Sequence, residues 1–117
     1  MGVKARIARK YTLRAVVFQE GDWLCAQCLE YDLVAQAKSL PRLYEALRRL
    51  IIGHIAVRAR HRQQPFLGLP RAPQKYWDMF ERSRLALPAP MFRGSPLRAH
   101  GVVVPPPEVR VAAPSAA

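Results

Sequence analysis

Between Tyr11 and Ile55 the apolar residues change period, and that change limits the fold more than any other feature of the chain. From Tyr11 to Lys38 they alternate with a period of two, which puts successive side chains on opposite faces of a strand. From there they recur at Leu40, Leu43, Tyr44, Leu47, Leu50, Ile51 and Ile55. That spacing is the i, i+3, i+4 stripe of a helix lying on a sheet. The stretch therefore reads as short strands followed by one long helix, an α+β arrangement.

The first strand is expected over Tyr11 to Gln19. Tyr11, Leu13, Ala15 and Val17 fall on one face, and Thr12, Arg14, Val16 and Phe18 on the other. Glu20-Gly21-Asp22 reads as a hairpin turn, because glycine takes the positive φ that a tight turn needs. A second strand follows from Trp23 to Leu29, a break at Glu30-Tyr31-Asp32, and a third strand from Leu33 to Lys38. Ser39 is placed to cap the helix, and Pro41 sits in the first turn, where a missing N–H costs nothing. Gly53 weakens the helix by about 1 kcal/mol against alanine, and its end is expected between Val57 and Arg62.

Gln63 to Ala72 reads as a loop. Pro73 then opens a second, short helix whose apolar patch is Tyr76, Trp77 and Phe80. A helix this short is marginal alone, so the patch must dock on this domain or on a partner. From Leu87 prolines break the periodicity. The expected organisation is a basic arm over 1–10, an α/β domain over 11–86 and a proline-rich tail over 87–117, largely extended or disordered. Within the tail, Glu108 to Ala112 alternates like a strand that adds to a sheet edge, in cis or across a dimer. The expected fold is thus a three-stranded antiparallel sheet packed on one long helix, with a short second helix, a tail and that C-terminal strand. A unit of roughly 80 residues is near the size at which one core suffices only marginally, which favours burial against a partner or a second copy.

The formal net charge is +11. It bears on partners and not on fold. Lys4, Arg6, Arg9 and Lys10 make an arm without an acid, and Arg42, Arg48, Arg49, Arg58, Arg60 and Arg62 lie on or beyond the helix. Together they are the candidate nucleic-acid-binding residues, by phosphate contacts without base readout. No apolar run approaches the roughly 18 residues of a membrane span, and the N-terminus lacks the apolar core of a signal peptide. With two cysteines and no disulfide scaffold, a reducing, cytoplasmic setting is expected.

Cys25 and Cys28 form a C-x-x-C, a spacing that chelates zinc or makes a redox pair when it lies in a turn. Here it falls in a strand, where residues three apart face opposite ways, so two packed and inert cysteines are expected. His54 lies on the apolar stripe and is expected to pack; His61 and His100 fall at the helix end and in the tail. Glu30 and Asp32 could share a face as paired carboxylates, but near a strand end they read as turn residues. No glycine-rich phosphate loop, G-x-S-x-G or H-E-x-x-H occurs. Catalytic residues, metal ligands and cofactors are therefore not expected, and the chain reads as a non-enzyme.

The order strand, turn, strand, strand, helix carries the turn EGDW, the segment LCAQCLEYDLVAQAKSL and the helix PRLYEALRRLI. With these, residues 11–55 resemble the HicB-like antitoxin family, the turn matching at Gly21, Asp22 and Trp23 and the helix motif at Glu45, Ala46 and Leu47. The resemblance implies a small degenerate relative of the ribonuclease H fold without its catalytic acids. It also implies binding to a HicA-type toxin ribonuclease, and oligomerisation. The functional expectation is a non-catalytic binding protein that occludes a protein partner, with Tyr76, Trp77 and Phe80 as partner-binding residues. The alternative is a basic accessory protein that binds nucleic acid.

Overall fold

The computed structural model describes residues 9–87 and 96–112. Chain order is β1 (Arg9–Lys10), β2 (Arg14–Glu20), β3 (Trp23–Cys28), β4 (Val34–Ala37), α1 (Leu40–Arg60), α2 (Gln74–Arg82), β5 (Leu85–Leu87), β6 (Leu97–Ala99), β7 (Val102–Val104) and β8 (Glu108–Val111). β2 and β3 form the expected hairpin, with Glu20 opposite Trp23 across a two-residue turn. Gly21 takes φ 59 there, the conformation glycine reaches without a steric penalty. β4 returns antiparallel beside β3. Ser39 caps α1 by accepting the Arg42 N–H. The helix runs through Gly53, which lies exposed on its outer side, because the buried stripe of Leu43, Tyr44, Leu47, Ile51 and Ile55 holds the helix to the sheet.

The expectation of a single three-stranded antiparallel sheet on one helix is corrected by the C-terminal third of the chain. There are two sheets. One has five strands in the order β4-β3-β2-β8-β5, and the other three in the order β1-β7-β6. β8 lies inside the larger sheet, parallel to β2 from Arg14↔Glu108 to Val17↔Val111, and β5 closes the edge antiparallel to β8. The smaller sheet is a β6–β7 hairpin joined by β1, whose Arg9 N–H donates to the Gly101 carbonyl and whose neighbour Tyr11 donates to Val103. The physical reason is legible afterwards. These strands are two to four residues long, too short to establish a period of two, and prolines separate them. Outside the β6–β7 hairpin their pairing is also long-range, so no neighbouring residue announces it. The β6–β7 turn is His100-Gly101, both at positive φ, a two-residue hairpin made with histidine where asparagine or glycine is the usual signal. Pro105-Pro106-Pro107 ends just where β8 begins, as a strand that must donate on both sides requires.

α1 and α2 cover opposite faces of the five-stranded sheet. The larger core sets Leu43, Tyr44, Leu47, Ile51 and Ile55 of α1 against Ala15, Val17, Ala26, Cys28, Ala35 and Ala37 of the sheet. Small side chains on the strands let the helix approach closely while Val102, Val104 and Leu97 of the second sheet close its end. The smaller core sets Phe80 of α2 and Ala72 against Val16 and Leu29, with Phe18, Tyr76, Trp77 and Met79 around them. β2 is therefore buried on both faces. Among the described residues no helix is long and apolar enough to cross a membrane.

A chain ending at residue 104, lacking β8, should lose its cooperative thermal transition, because β2 would present an open edge at the centre of the sheet. An unchanged transition in circular dichroism would contradict the observed strand order.

Candidate functional site

α2 is fastened to the sheet by alternating guanidinium groups and rings. Arg71 lies 4.2 Å from the Trp77 ring centroid. Arg14 of β2 lies 4.8 Å from the same ring and 5.8 Å from Phe80. Arg110 of β8 lies 4.4 Å from Phe80 and donates to its carbonyl. Each guanidinium is weakly hydrated and flat, so it can stack on an aromatic face while its edge keeps polar partners. Arg14 uses that edge on Glu30, whose carboxylate accepts both the Arg14 backbone N–H at 2.7 Å and its Nε at 2.6 Å. Arg110 pairs with Glu108. Tyr76 stacks on Phe18 at 5.6 Å, with the Lys75 ammonium above its ring. Trp77 donates its indole N–H to the Ala72 carbonyl.

The three aromatic residues named from the sequence thus meet one another's neighbours on a single face, docked on their own domain. Phe80 is buried, whereas Tyr76 and Trp77 are half-buried and still reach solvent. On the same sheet face but beyond α2, Trp23 remains 43% exposed with Lys38 stacked 4.1 Å above it, and Val34 is 45% exposed. Arg14, Arg71 and Arg110 escaped the sequence reading. Two of them sit at strand positions that look like solvent-facing charge, and only the rings three-dimensionally above them reveal the packing role.

The basic residues divide into two groups. Arg42, Arg49 and Arg60 are exposed and recur at whole-turn spacings along one side of α1. Arg49 is paired with Glu45 at 3.0 Å. Arg48 and Arg58 are half-buried, and Arg58 donates to Gln63. Arg62 is exposed and takes φ 55 just past the helix end. Arg9 and Lys10 are exposed on β1; Lys4 and Arg6 lie outside the described residues.

The cysteines, Asp32 and His54 are engaged in holding the structure. Cys25 and Cys28 are both buried and unbridged, and they face opposite sides of the sheet: Cys28 joins the α1 core, while Cys25 pairs beside Phe18 on the other face. Burial, assisted by the Glu30 charge, pushes the Cys28 thiol up to about 12, and burial raises Cys25 as well. Asp32 accepts from the amide of the buried Gln27 at 2.7 Å. His54 accepts the Phe66 N–H on Nε2 at 2.9 Å and stacks on the Phe66 ring, which Tyr31 covers from 4.4 Å. Phe66 takes φ 64 to reach this position, a left-handed conformation that a bulky residue adopts only when its surroundings fix it. Burial, and then the nearby Arg58 charge, lower the His54 pKa. Comparison with protein-family models, curated proteins and solved structures returns no match for this chain.

Glu30→Ala leaves Arg14 and its backbone N–H without their acceptor. It should cost about 1.5 to 3 kcal/mol of folding stability by urea denaturation; a change near zero would mean the pair is not part of the frame. The His54 contact predicts a pH dependence. An unfolded histidine titrates near about 6.5, and the folded one lower, so the unfolded chain takes the proton first. Stability is complete above that range and falls as the pH drops through it toward the folded pKa. Between pH 7.5 and pH 5.5 the urea midpoint should fall more for the natural chain than for His54→Gln, whose side chain can still accept. Equal falls would contradict the assignment.

Proposed function

We propose that the protein is a non-catalytic, HicB-like binding protein of the cytoplasm that works by covering the surface of a protein partner. One observation carries this reading. The carboxylates of Glu30 and Asp32, the imidazole of His54 and both thiols serve as hydrogen-bond anchors or core packing: Glu30 to Arg14, Asp32 to Gln27, His54 to Phe66, and the cysteines in the two faces of the sheet. Groups tied up in this way maintain a shape, and a shape acts by contact. The β2–β3–β4–α1 order, with Gly21 in the first turn and Glu45-Ala46-Leu47 on the helix, supports the HicB-like assignment. A HicA-type toxin ribonuclease is the concrete candidate partner. The edges of Tyr76 and Trp77 that still reach solvent at the border of α2, beside the buried Phe80, are the contact surface this reading assigns.

A second reading rests on the row of Arg42, Arg49 and Arg60 along α1 together with Arg9 and Lys10. It makes the protein a basic accessory factor that binds nucleic acid through phosphates. The two readings part in one set of measurements. The first predicts a short toxin gene beside this one, a co-purifying complex and suppression of the toxin's RNA cleavage on mixing. A gene without such a neighbour, or an unhindered toxin, contradicts it. The second predicts oligonucleotide binding that falls steeply between about 50 and 200 mM salt and that weakens when the three arginines are changed to alanine. No shift of an oligonucleotide at 50 mM salt removes it.

A further inference from the structure

Residues 62–72 lead from the end of α1 back to the sheet, and they are held unevenly. At the far end the Ala72 N–H donates to the Leu29 carbonyl at 2.9 Å and the Pro70 carbonyl accepts from Asp32 at 2.8 Å. Within the segment Leu67 donates to Gln64 and Leu69 to Phe66, bonds that travel with it. From Gln64 to Leu69 one backbone group bonds to the rest of the domain: the Phe66 N–H, which donates to Nε2 of His54 at 2.9 Å. Phe66 takes φ 64 to make that bond, with Arg62 at φ 55 and Gly68 at φ 80 on either side. Two of the three are not glycines, and a left-handed backbone persists in such residues only where surrounding contacts impose it. Here the contacts are rings. Phe66 is buried between Tyr31 at 4.4 Å and His54 at 5.1 Å, with Tyr11 edge-on at 5.2 Å.

Because His54 accepts on Nε2, its neutral ring carries the proton on Nδ1. A second proton would turn Nε2 into a donor facing the Phe66 N–H. The groups packed around the ring do not compensate that charge. On α1 the charged neighbour is Arg58, one turn on, whose field opposes it and whose guanidinium is bonded to Gln63. The β3–β4 connection contributes Tyr31, and the adjacent Glu30 and Asp32 are already held by Arg14 and Gln27. The approach to β2 contributes Tyr11, and phenols carry no charge near neutral pH. The segment itself has no acid; its charged residues are Arg62 and Arg71.

We propose that residues 64–69 are a proton-released latch: neutral His54 holds Phe66 in its pocket, and the imidazolium lets the segment swing out between Arg62 and Pro70 while the domain stays folded. Opening grows as the pH falls, because the released imidazole takes its proton near about 6.5 and the held one lower. Release frees the left-handed backbone at Phe66 and uncovers the rings of Tyr11, Tyr31 and His54. They lie beside Val57 and Leu67, which are already exposed, and Val57 stands one turn from His54 on the same side of α1. Acid thus enlarges an apolar surface that neither binding reading uses. The device depends on neither of them, and it adds a local motion to the effect of His54 on overall stability.

Amide hydrogen exchange on the full chain, read residue by residue by NMR, tests this. The Phe66 amide should open at lower free energy than the Ile51 amide in the core of α1, and without response to low urea, the mark of a local opening. The Ala72 amide, bonded to Leu29, should open only with the core. From pH 7.5 to pH 5.5 the Phe66 opening constant, corrected for intrinsic exchange, should rise several-fold toward a limit of about tenfold, reached when only the released imidazole is protonated. The ring signals of Phe66 and Tyr31 should follow the His54 titration. In His54→Gln, which still accepts but does not titrate, the opening constant should stay flat between the two pH values. Should that variant fail to fold, the joint titration of His54, Phe66 and Tyr31 in the natural chain decides the matter. A Phe66 amide that opens only together with Ile51, a rise of equal size in His54→Gln, or a His54 that titrates while Phe66 stays protected would overturn the proposal.

Discussion

β2 is the element on which the rest depends, because it is enclosed on all four sides. It is hydrogen-bonded to β3 on one edge and to β8 on the other. Ala15 and Val17 face α1, and Val16 and Phe18 face α2. Each side has a different origin. The β3 edge closes through a two-residue turn, and the α1 face through the next helix in sequence. The β8 edge and the α2 face need residues from the far end of the chain. Contacts of that range must repay a loop-closure cost that contacts between chain neighbours do not. The hairpin and α1 alone leave β2 open on one edge and one face, which β8 and α2 close.

Charge is handled within the same frame. A formal +11 suggests a uniformly basic surface, but the guanidinium groups of Arg14, Arg71 and Arg110 are taken into the packing of α2, two of them with an acid at the outer edge. In these positions arginine contributes area and ring stacking as much as charge, and lysine would not replace it. Exposed arginines recur instead along the outside of α1, at Arg42, Arg49 and Arg60. The two helices thus offer unlike surfaces, one basic and one of aromatic rings topped by cations, and each proposed mode of binding uses one of them.

What could be read in the sequence was what neighbouring residues determine. Gly21 marks its own turn, Ser39 its own helix start, and the stripe from Leu43 to Ile55 its own buried side. The opposed faces of Cys25 and Cys28 follow from strand geometry alone. Beyond that range the reading failed for definite reasons. β8 shows an alternating pattern, but a pattern does not say whether a strand lies at an edge or inside a sheet, or which strand it meets. The His100-Gly101 turn lacks the usual first residue. Phe66 gives no sign that it is a plug between Tyr31 and His54, since its place depends on a backbone conformation that sequence rarely signals. Of the candidate site, the rings of α2 were visible and the arginines beneath and above them were not.

The central claim is that β8 is an integral partner of β2, so that one cooperative unit spans both ends of the chain. Native-state amide hydrogen exchange measures this directly. Val17, whose carbonyl accepts the Ala112 N–H, lies at the seam, and the amides of β2 and β8 around it should exchange together. The expected result is a common opening free energy for both strands, equal to that of global unfolding and shifted equally by urea. β8 amides that exchange at lower free energy while β2, β3 and β4 stay protected would contradict it, and would make the C-terminal strand a detachable addition to a smaller fold.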